Sequence, residues 1–378
     1  MFKKYLAWSL MTWAPLFVCA QQVTTLSMNS GIDDALILDA QGHLYGAHYQ
    51  GSAVFHVSPD DWSSEVYSDG FNTPNGLAFD DEGILYMADN LGNKIYRIFP
   101  DGTSEVFVDN FVSPSGLIFE LDSDTLIATS YGGNRIEKIA PDKERVIVAS
   151  GNGLNGPVGL CYDDDGNLYV GNFTNRKIFR LEENGELELI SQPSGSGWLG
   201  FITYAKGYIY GTLYSQHKIY RTDLMGNDTI ILGGGAGTVD GGPDEARFNQ
   251  PNGILASPSQ DTIFVSDYGN RALRMITGLE PLTSKTTPKS KDILNWQLSP
   301  NPATSNLQVE LQLDHSAKVS IKLFDNQGKQ MAVLLHNTTM GSGAHVMPFV
   351  IADYPAGTYH IQVDLDKGLP FSKSFIKK

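Results

Sequence analysis

The chain has few cysteines and few basic residues, and each shortage excludes something. Two of its 378 residues are cysteine, Cys19 and Cys161, and we expect the first to be removed, which leaves no internal disulfide. Only 27 Lys and Arg stand against 42 Asp and Glu, a net charge of −15. This balance argues against a nucleic acid or an anionic membrane as partner, because both attract clustered basic residues. Beyond residue 20 no apolar run approaches ~18 residues, so no transmembrane segment is expected.

The residues that are abundant favour β-structure. The chain holds 39 Gly and 17 Tyr but only 9 Met, and 41% of its residues are hydrophobic. Such a composition is typical of a turn-rich, strand-rich protein with a sizeable core and excludes a disordered chain. A length of 378 residues predicts two or three domains.

Residues 1–20 have the layout of a secretory signal peptide. Lys3 and Lys4 begin the segment, residues 5–18 are largely apolar, and small residues precede Gln21. We expect cleavage after Ala20. A lipoprotein signal, which would attach Cys19 to lipid, is the alternative, but Phe17 and Val18 fit poorly before such a cysteine.

Acidity divides the rest of the chain. Residues 21–278 hold 15 Lys and Arg against 34 Asp and Glu, whereas residues 296–378 are close to balanced. Between them, residues 281–296 are rich in Thr, Ser, Pro and Lys without an apolar period. We predict an exposed linker there.

A motif of the form Pro-x-Gly-apolar recurs about every 40 residues in the acidic segment. The five copies are Pro74-Asn75-Gly76-Leu77, Pro114-Ser115-Gly116-Leu117, Pro157-Val158-Gly159-Leu160, Trp198-Leu199-Gly200-Phe201 and Pro251-Asn252-Gly253-Ile254. A degenerate sixth copy is Asp33-Asp34-Ala35-Leu36. A fixed period of this length indicates a repeat architecture.

Each repeat contains four short strand-like runs separated by polar turns, which is the pattern of a propeller blade. Six blades fit residues 21–280. The last repeat has only three runs after Pro251, and residues 22–27 can supply the missing outer strand. We therefore predict an all-β chain whose six-bladed β-propeller is closed by its own N-terminal strand.

The repeats resemble known families. Residues 233–242, 246–254 and 265–271 are very similar to an NHL repeat. The other blades resemble NHL repeats and the propellers of the senescence-marker-protein and gluconolactonase group about equally. These groups include lactonases, other hydrolases, lyases and binding scaffolds, so the fold alone does not assign an activity.

Residues 297–378 resemble a second family. Strand-like runs alternate with turns, which predicts a small Ig-like β-sandwich of about seven strands. The order Pro300-Asn301-Pro302, Gly328-Lys329, Pro355-Ala356-Gly357-Thr358-Tyr359 and a basic end is similar to the type A sorting domain of bacterial type IX secretion. The resemblance implies that the secretion machinery is a partner and that the protein is secreted or held at the cell surface. An ordinary Ig-like binding module is the alternative.

Comparison of the blades separates residues that serve the scaffold from candidate site residues. The recurring Pro and Gly are interpreted as structural, with the glycine allowing close backbone approach near the axis. Asn93, Asn134 and Asn270 are interpreted as turn residues with left-handed backbone geometry. The turn carboxylates, for example Asp80 and Asp163, are interpreted as solvated turn residues rather than calcium ligands. Cys161 is predicted to be a buried small residue.

The middle residue of the Pro-x-Gly motif varies and is placed beside the central channel. Blades six, one and two, which are ring neighbours, carry Asn252, Asp34 and Asn75 there. Carboxylate and amide oxygens suit a hard divalent cation, with calcium expected first. The gluconolactonase group holds its metal at matching strand starts. Val158 and Leu199 depart from that pattern, and the alternative is that Asn75 and Asn252 only hydrogen-bond their turns.

A second layer lies where strand two of each blade ends. His48 stands out there, in the same blade as Asp34, and an imidazole oriented by a carboxylate could act as a general base. Asp89 and Asp267 match the aspartate of NHL repeats, whose usual role is local turn bonding. The next position is aromatic in five of six blades, which predicts a collar that packs or stacks on a flat ligand. The collar residues are Tyr49, Tyr131, Phe173, Tyr214 and Tyr268.

Three functional hypotheses remain. The first is an exported propeller that binds a small molecule, a glycan or a protein at its channel mouth. The second is a metal-dependent lactonase or other hydrolase, in which the cation polarises a carbonyl or activates water and Asp34 or His48 is the base. The third is a lyase like the propellers that cleave streptogramins.

Overall fold

The computed structural model describes residues 21–282, 293–313, 316–325, 329–365 and 371–378. These residues form two compact units, one that ends at Leu282 and one that begins, among the described residues, at Ile293. The predicted signal segment 1–20 and most of the predicted linker lie outside the described residues. No helix in the described ranges is long and apolar enough to cross a membrane.

The first unit consists of six four-stranded antiparallel sheets. Strand β1 (Gln22–Met28) belongs to the last sheet and is followed by the strands of blades 1 to 3. These are β2 (Leu36–Leu38), β3 (Leu44–Ala47), β4 (Val54–Val57) and β5 (Ser64–Ser68); β6 (Pro74–Phe79), β7 (Leu85–Asp89), β8 (Lys94–Ile98) and β9 (Ser104–Val108); β10 (Pro114–Phe119), β11 (Leu126–Ser130), β12 (Arg135–Ile139) and β13 (Arg145–Ser150).

Blades 4 to 6 repeat the arrangement. Their strands are β14 (Pro157–Tyr162), β15 (Leu168–Asn172), β16 (Ile178–Leu181) and β17 (Leu187–Ser191); β18 (Leu199–Ala205), β19 (Tyr208–Leu213), β20 (Lys218–Asp223) and β21 (Asp228–Leu232); β22 (Pro251–Ala256), β23 (Ile263–Asp267) and β24 (Ala272–Thr277). Two three-residue 3-10 helices, Tyr214–Gln216 and Tyr268–Asn270, follow the second strands of blades 5 and 6. The first strand of every blade contacts the first strands of its two neighbours, so six inner strands close a ring. The predicted six-bladed β-propeller is confirmed.

The ring is closed by the N-terminal strand, as the sequence predicts. β1 pairs antiparallel with β24 and forms the outer edge of blade 6. Asp240 fastens it, because its carboxylate accepts hydrogen bonds from the backbone N–H of Thr25 at 2.9 Å and from the Thr25 hydroxyl at 2.7 Å. The buried guanidinium of Arg274 also contacts Asp240, at 2.9 Å, and thereby ties this loop to β24.

The glycine of each Pro-x-Gly motif lets neighbouring inner strands approach closely. A Cβ atom added to Gly76 would lie 1.9 Å from the carbonyl oxygen of Ser115, and one added to Gly253 would lie 2.0 Å from that of Asp34. No side chain fits in these spaces. The structural interpretation of the glycine is confirmed, and the middle residues of successive blades are side by side around the axis.

Asn93 and Asn134 have positive φ angles of 54° and 49°, as expected for left-handed turn residues. The expectation is wrong for Asn270, which lies in a 3-10 helix. Its neighbour Arg271 takes the left-handed conformation, at φ 52°. The left-handed residue is the fourth after the end of the second strand in all three blades, and in blade 6 that residue is Arg271 and not Asn270.

The turn carboxylates hold their own hairpins. Asp80 Oδ1 accepts the backbone N–H of Glu82 at 3.0 Å and of Ile84 at 2.8 Å. Asp163 accepts from several turn groups in the same way, including the hydroxyl of Tyr169 at 2.9 Å. Their role in turn formation accounts for the recurrence of acidic residues after the inner strands.

Cys161 is buried in inner strand β14, as predicted. Burial raises the pKa of its thiol, with a smaller contribution from the charge of Asp163. A thiol held in its neutral form in an apolar surrounding is a packing group rather than a nucleophile.

The second unit is a sandwich of two sheets around its own core. Its strands are β25 (Ile293–Ser299), β26 (Asn306–Leu313), β27 (Ala317–Asp325), β28 (Gln330–Met340), β29 (Gly343–Val350), β30 (Gly357–Leu365) and β31 (Phe371–Lys377). One sheet has the order β25-β26-β29 and the other β28-β27-β30-β31. Trp296 and Phe375 are among its buried residues. β25 begins inside the segment 281–296 that the composition predicts as linker, because residues 293–296 pair with β26.

Candidate functional site

Asp34 and Asn252 meet at the start of the inner strands of blades 1 and 6. The amide nitrogen of Asn252 donates a hydrogen bond to Asp34 Oδ1 at 2.9 Å. Asp34 is only 1% exposed. Its burial raises the pKa of the Asp34 carboxyl well above the ordinary range, and the nearby charge of Asp33 raises it further.

The other oxygen of each of these two side chains is unsatisfied. Asp34 Oδ2 and Asn252 Oδ1 are buried and have no hydrogen-bond partner among the described residues. Buried oxygens without a donor are costly, and two of them on one hydrogen-bonded pair favour a proton, a water molecule or a cation as the missing partner.

Asn75, the third expected metal ligand, makes a different contact. Its Oδ1 accepts a hydrogen bond from the hydroxyl of Ser115 in the next blade, at 2.9 Å. Both asparagines therefore bond side chains of neighbouring blades instead of their own turns. In the described part of the chain no three His, Cys, Asp or Glu side chains converge to hold a metal ion. A cation here would depend on the amide oxygen of Asn252 beside Asp34.

His48 lies beside Asp33 and not beside Asp34 in the contacts of the described residues. Its Nε2 is 3.7 Å from Asp33 Oδ2. Asp33 Oδ1 also accepts the backbone N–H of Tyr49, at 2.6 Å. Burial raises the pKa of Asp33, while His48 opposes this shift. The carboxylate beside the imidazole of His48 is therefore that of Asp33. Asp33 contacts His48 and Tyr49, whereas Asp34 contacts Asn252.

The aspartates at the ends of β7 and β23 bond their local turns. Asp89 accepts the backbone N–H groups of Asn72, Thr73 and Gly92. Asp267 accepts from the backbone of Asn249 and from the guanidinium of Arg274 at 2.8 Å. This is the role that the sequence comparison assigned to them.

Aromatic rings form a continuous cluster across the mouth, which we call the aromatic cap. It comprises four predicted collar residues and one further residue: Tyr131, Phe173, Trp198, Tyr214 and Tyr268. Neighbouring rings have centroid distances of 5.4 to 6.1 Å. Trp198 is 45% exposed and Tyr131 37% exposed. The cap thus combines packed rings with two side chains, Trp198 and Tyr131, that are partly open to solvent.

The fifth collar residue, Tyr49, approaches the cap from blade 1. Burial raises the pKa of its phenol, and the neighbouring Asp34, Tyr131 and Tyr268 each raise it further. The pKa of the Tyr214 phenol is raised as well, mainly by burial and then by Tyr268. The phenols of Tyr49 and Tyr214 therefore lie close to Asp33 and Asp34, and Tyr131 and Tyr268 lie close to Tyr49.

Trp198 was not among the predicted site residues. It occupies the place that Pro74, Pro114 and Pro157 take in other blades. Departure from a recurring residue type marks a candidate site residue, and Trp198 departs from the recurring proline in this way. Its indole lies over the ring of Phe173 with a centroid distance of 5.4 Å and an interplanar angle of 20°.

Comparison with a family of known proteins identifies the second unit. Residues 297–378 match the secretion system C-terminal sorting domain. The prediction of a type IX sorting domain is confirmed, and it implies export. No curated protein sequence matches the chain.

Comparison with solved structures supports the propeller. An auxiliary nutrient binding protein from Bacteroides thetaiotaomicron is similar, with 16% identity, 68% of this chain and 76% of that chain covered, and a TM-score of 0.59. A gluconolactonase from Xanthomonas campestris covers 68% of this chain and 89% of its own at 17% identity, with a TM-score of 0.54. A virginiamycin B lyase from Staphylococcus aureus has 19% identity, 65% and 80% coverage and a TM-score of 0.50. At these identities the likeness shows the fold, and it agrees with the propeller families that the repeats resemble.

Proposed function

We propose that this chain is an exported propeller that binds a ligand on the aromatic cap at its channel mouth. The observation that carries the proposal is the exposure of Trp198 within a contiguous cluster of rings. Contiguous exposed apolar patches are uncommon on soluble proteins, and where they occur they commonly mark binding sites. Exposed aromatic rings bind flat apolar faces, including those of sugar rings.

The charge near the cap narrows the choice of ligand. Asp33 and Asp34 act on the phenols of Tyr49 and Tyr214, and among the basic residues Arg271 acts on Asp33. The acidic pair disfavours a strongly anionic ligand, so we expect a neutral one. The candidate ligands are a small molecule, a glycan and a protein. The similar fold of an auxiliary nutrient binding protein is compatible with a nutrient-binding role.

Export fits this role. Residues 1–20 would direct the chain across the inner membrane, and residues 297–378 would be recognised by the type IX machinery at the outer membrane. The propeller would then act in the medium or at the cell surface. A ligand available outside the cell is therefore the expected occupant.

The test is a ligand screen with a matched pair of variants. Purified propeller is screened by thermal shift and calorimetry against neutral oligosaccharides, anionic oligosaccharides and aromatic small molecules. Trp198→Ala is expected to lower the affinity for any hit at least about tenfold, whereas Leu189→Ala, which truncates an exposed residue of β17, leaves it unchanged. Equal affinity of wild type and Trp198→Ala for every hit would refute binding at the cap.

A cation-dependent hydrolase is the second candidate, and the unsatisfied oxygens of Asp34 and Asn252 favour it. A divalent cation, calcium first, would suit these two atoms and would supply Lewis-acid polarisation of a carbonyl when bound. His48 with Asp33 would then be placed to accept a proton from water. The near-complete burial of Asp34 means that a substrate would have to reach it past the tyrosines.

Elemental analysis after exhaustive dialysis tests the cation directly. Near-stoichiometric calcium in the wild type that is absent from Asp34→Asn would support this candidate and justify a panel of lactones. Asp81→Asn is the control, because Asp81 is an exposed turn carboxylate away from the mouth. Equal metal content in wild type and Asp34→Asn would exclude a cation on Asp34.

A further inference from the structure

Three of the six blades, blades 2, 3 and 5, attach to the next through one side chain at the left-handed turn residue before the third strand. Asn93 Oδ1 accepts the backbone N–H of Ser113 at 2.8 Å, and Asn134 Oδ1 accepts that of Gly156 at 2.8 Å. In the same way His217 Nδ1 accepts the N–H of Gln250 at 3.0 Å. At each of these junctions one acceptor holds the loop just ahead of the next Pro-x-Gly motif.

The junction between blades 4 and 5 is built differently. Its left-handed residue is Arg176, with φ 60°, which brings donors instead of an acceptor. The guanidinium donates to the carbonyl oxygens of Pro193 at 3.2 Å, Gly195 at 2.7 Å and Gly197 at 2.7 Å. A planar group with several fixed donors can hold three carbonyls at once, which an asparagine cannot.

Gln216 completes the arrangement from blade 5. Its amide nitrogen donates to the carbonyl oxygens of Ser194 at 3.1 Å and Ser196 at 3.3 Å. Together Arg176 and Gln216 therefore occupy five consecutive carbonyls, those of residues 193–197. We call this arrangement the carbonyl clamp.

The clamped loop leads directly into Trp198. Its sequence, Pro193-Ser-Gly-Ser-Gly197, would be flexible if left unbound, because Gly- and Ser-rich segments have many accessible conformations. Beyond it the backbone N–H of Trp198 donates to Ser215 Oγ at 3.2 Å and that of Leu199 to the carbonyl of Phe173 at 3.1 Å. The loop and the ring that follows it are thereby fixed to two blades.

We infer that Arg176 and Gln216 are positioning residues that hold Trp198 as a preformed platform for the ligand of the aromatic cap. Two differences coincide here: Arg176 stands where blades 2, 3 and 5 have a side-chain acceptor, and Trp198 stands where other blades have Pro. The ring of a proline would fix the backbone φ angle at this position, and tryptophan does not. The carbonyl clamp restricts the loop instead. Holding an exposed ring in its bound conformation reduces the entropy lost on binding. The inference rests on the proposed binding function.

The first experiment needs no ligand. Hydrogen exchange at the Trp198 and Leu199 amides and acrylamide quenching of Trp198 fluorescence, isolated by subtracting a Trp198→Phe variant, are measured for wild type, Arg176→Gln and Arg180→Gln. Arg180 is the control because it lies in the same blade and pairs with Glu182 and Glu188. We expect Arg176→Gln to speed these exchange rates at least about tenfold, since three hydrogen bonds from a charged group are lost. Gln216→Glu, which replaces the donor with acceptors, is expected to act in the same direction.

Two results would overturn the inference. One is exchange and quenching in Arg176→Gln equal to those of wild type and Arg180→Gln. The other is a uniform acceleration of exchange across all blades, which would make Arg176 a general stability residue. Binding of any hit from the ligand screen then separates the two proposals. A mobile Trp198 with weakened binding supports both, whereas a mobile Trp198 without any effect of Trp198→Ala on binding refutes only the function of the cap.

Discussion

The indole of Trp198 is stacked on the ring of Phe173, a collar residue of the preceding blade, with their planes 20° from parallel. Phe173 also contacts Tyr131 and Tyr214, so it links Tyr131 to the other rings of the aromatic cap. The exposed ring of Trp198 therefore packs on Phe173, a residue that the sequence pattern predicts as part of the collar.

Replacing Phe173 with leucine is expected to weaken ligand binding without unfolding the propeller. The substitution keeps apolar volume but removes ring stacking worth about 0.5–1.5 kcal/mol, so affinity for a cap ligand should fall roughly three- to tenfold. Calorimetric titration of wild type and variant measures this. Phe119→Leu is the matched control, since Phe119 is a partly buried ring that packs on Tyr86 at the far end of an inner strand. Equal losses in both variants would mean that general packing, and not the cap, determines affinity.

Gly76→Ala is expected to destabilise the ring severely. Its new Cβ would lie 1.9 Å from the carbonyl of Ser115, and backbone on both sides has to move. We expect a loss of about 3 kcal/mol in the free energy of unfolding, measured by urea denaturation. Gly242→Ala is the control, because its Cβ would meet only the Gln21 carbonyl, at 3.9 Å. Comparable stability of the two variants would contradict the close approach of the inner strands.

The blades could be predicted from the sequence because each one repeats the same order of strands and turns. Alternating apolar strands, acidic turn residues and the glycine beside the axis recur, and recurrence allows errors in one blade to be corrected by the others. The collar was found for the same reason, since Tyr131, Phe173 and Tyr214 all follow the end of a second strand.

The irregular positions were predicted less well. In blade 1 two adjacent aspartates precede a three-residue inner strand, and the pattern did not tell which of them faces His48. Trp198 was overlooked because its slot had been assigned to the scaffold. Arg176 was overlooked because its partners are backbone carbonyls, which leave no mark in the sequence.

Removal of residues 297–378 is expected to stop export of the propeller. A chain that ends before the sorting domain should still cross the inner membrane but should accumulate behind the outer membrane. Cell fractionation followed by immunoblotting with a propeller antibody measures the distribution, and a periplasmic marker protein controls for leakage. Truncated and full-length chains present outside the cell in equal proportion would contradict the role assigned to this domain.

Asp240→Asn is expected to loosen the closing strand in a pH-dependent way. Burial alone would raise the pKa of Asp240, but hydrogen bonds from Thr25 and the charge of Arg274 outweigh burial and lower it. A carboxyl whose pKa is lowered on folding stabilises the protein above its unfolded value of about 3.8 and loses that contribution as the pH falls through the folded value. The wild type should therefore exceed the variant in stability near neutral pH by about 1 kcal/mol, and the difference should shrink below about pH 4.

Denaturation at several pH values, together with hydrogen exchange of the β1 amides, measures this effect. Asp244→Asn is the control, because Asp244 lies in the same loop, is exposed and does not contact β1 in the described structure. The β1 amides should exchange faster in Asp240→Asn than in Asp244→Asn at pH 7, since only Asp240 accepts from Thr25. A stability difference that persists unchanged at pH 3 would show that the carboxylate charge is not what fastens the strand. The closure of the ring would then depend on the backbone pairing of β1 with β24 and of Val23 with Gly241.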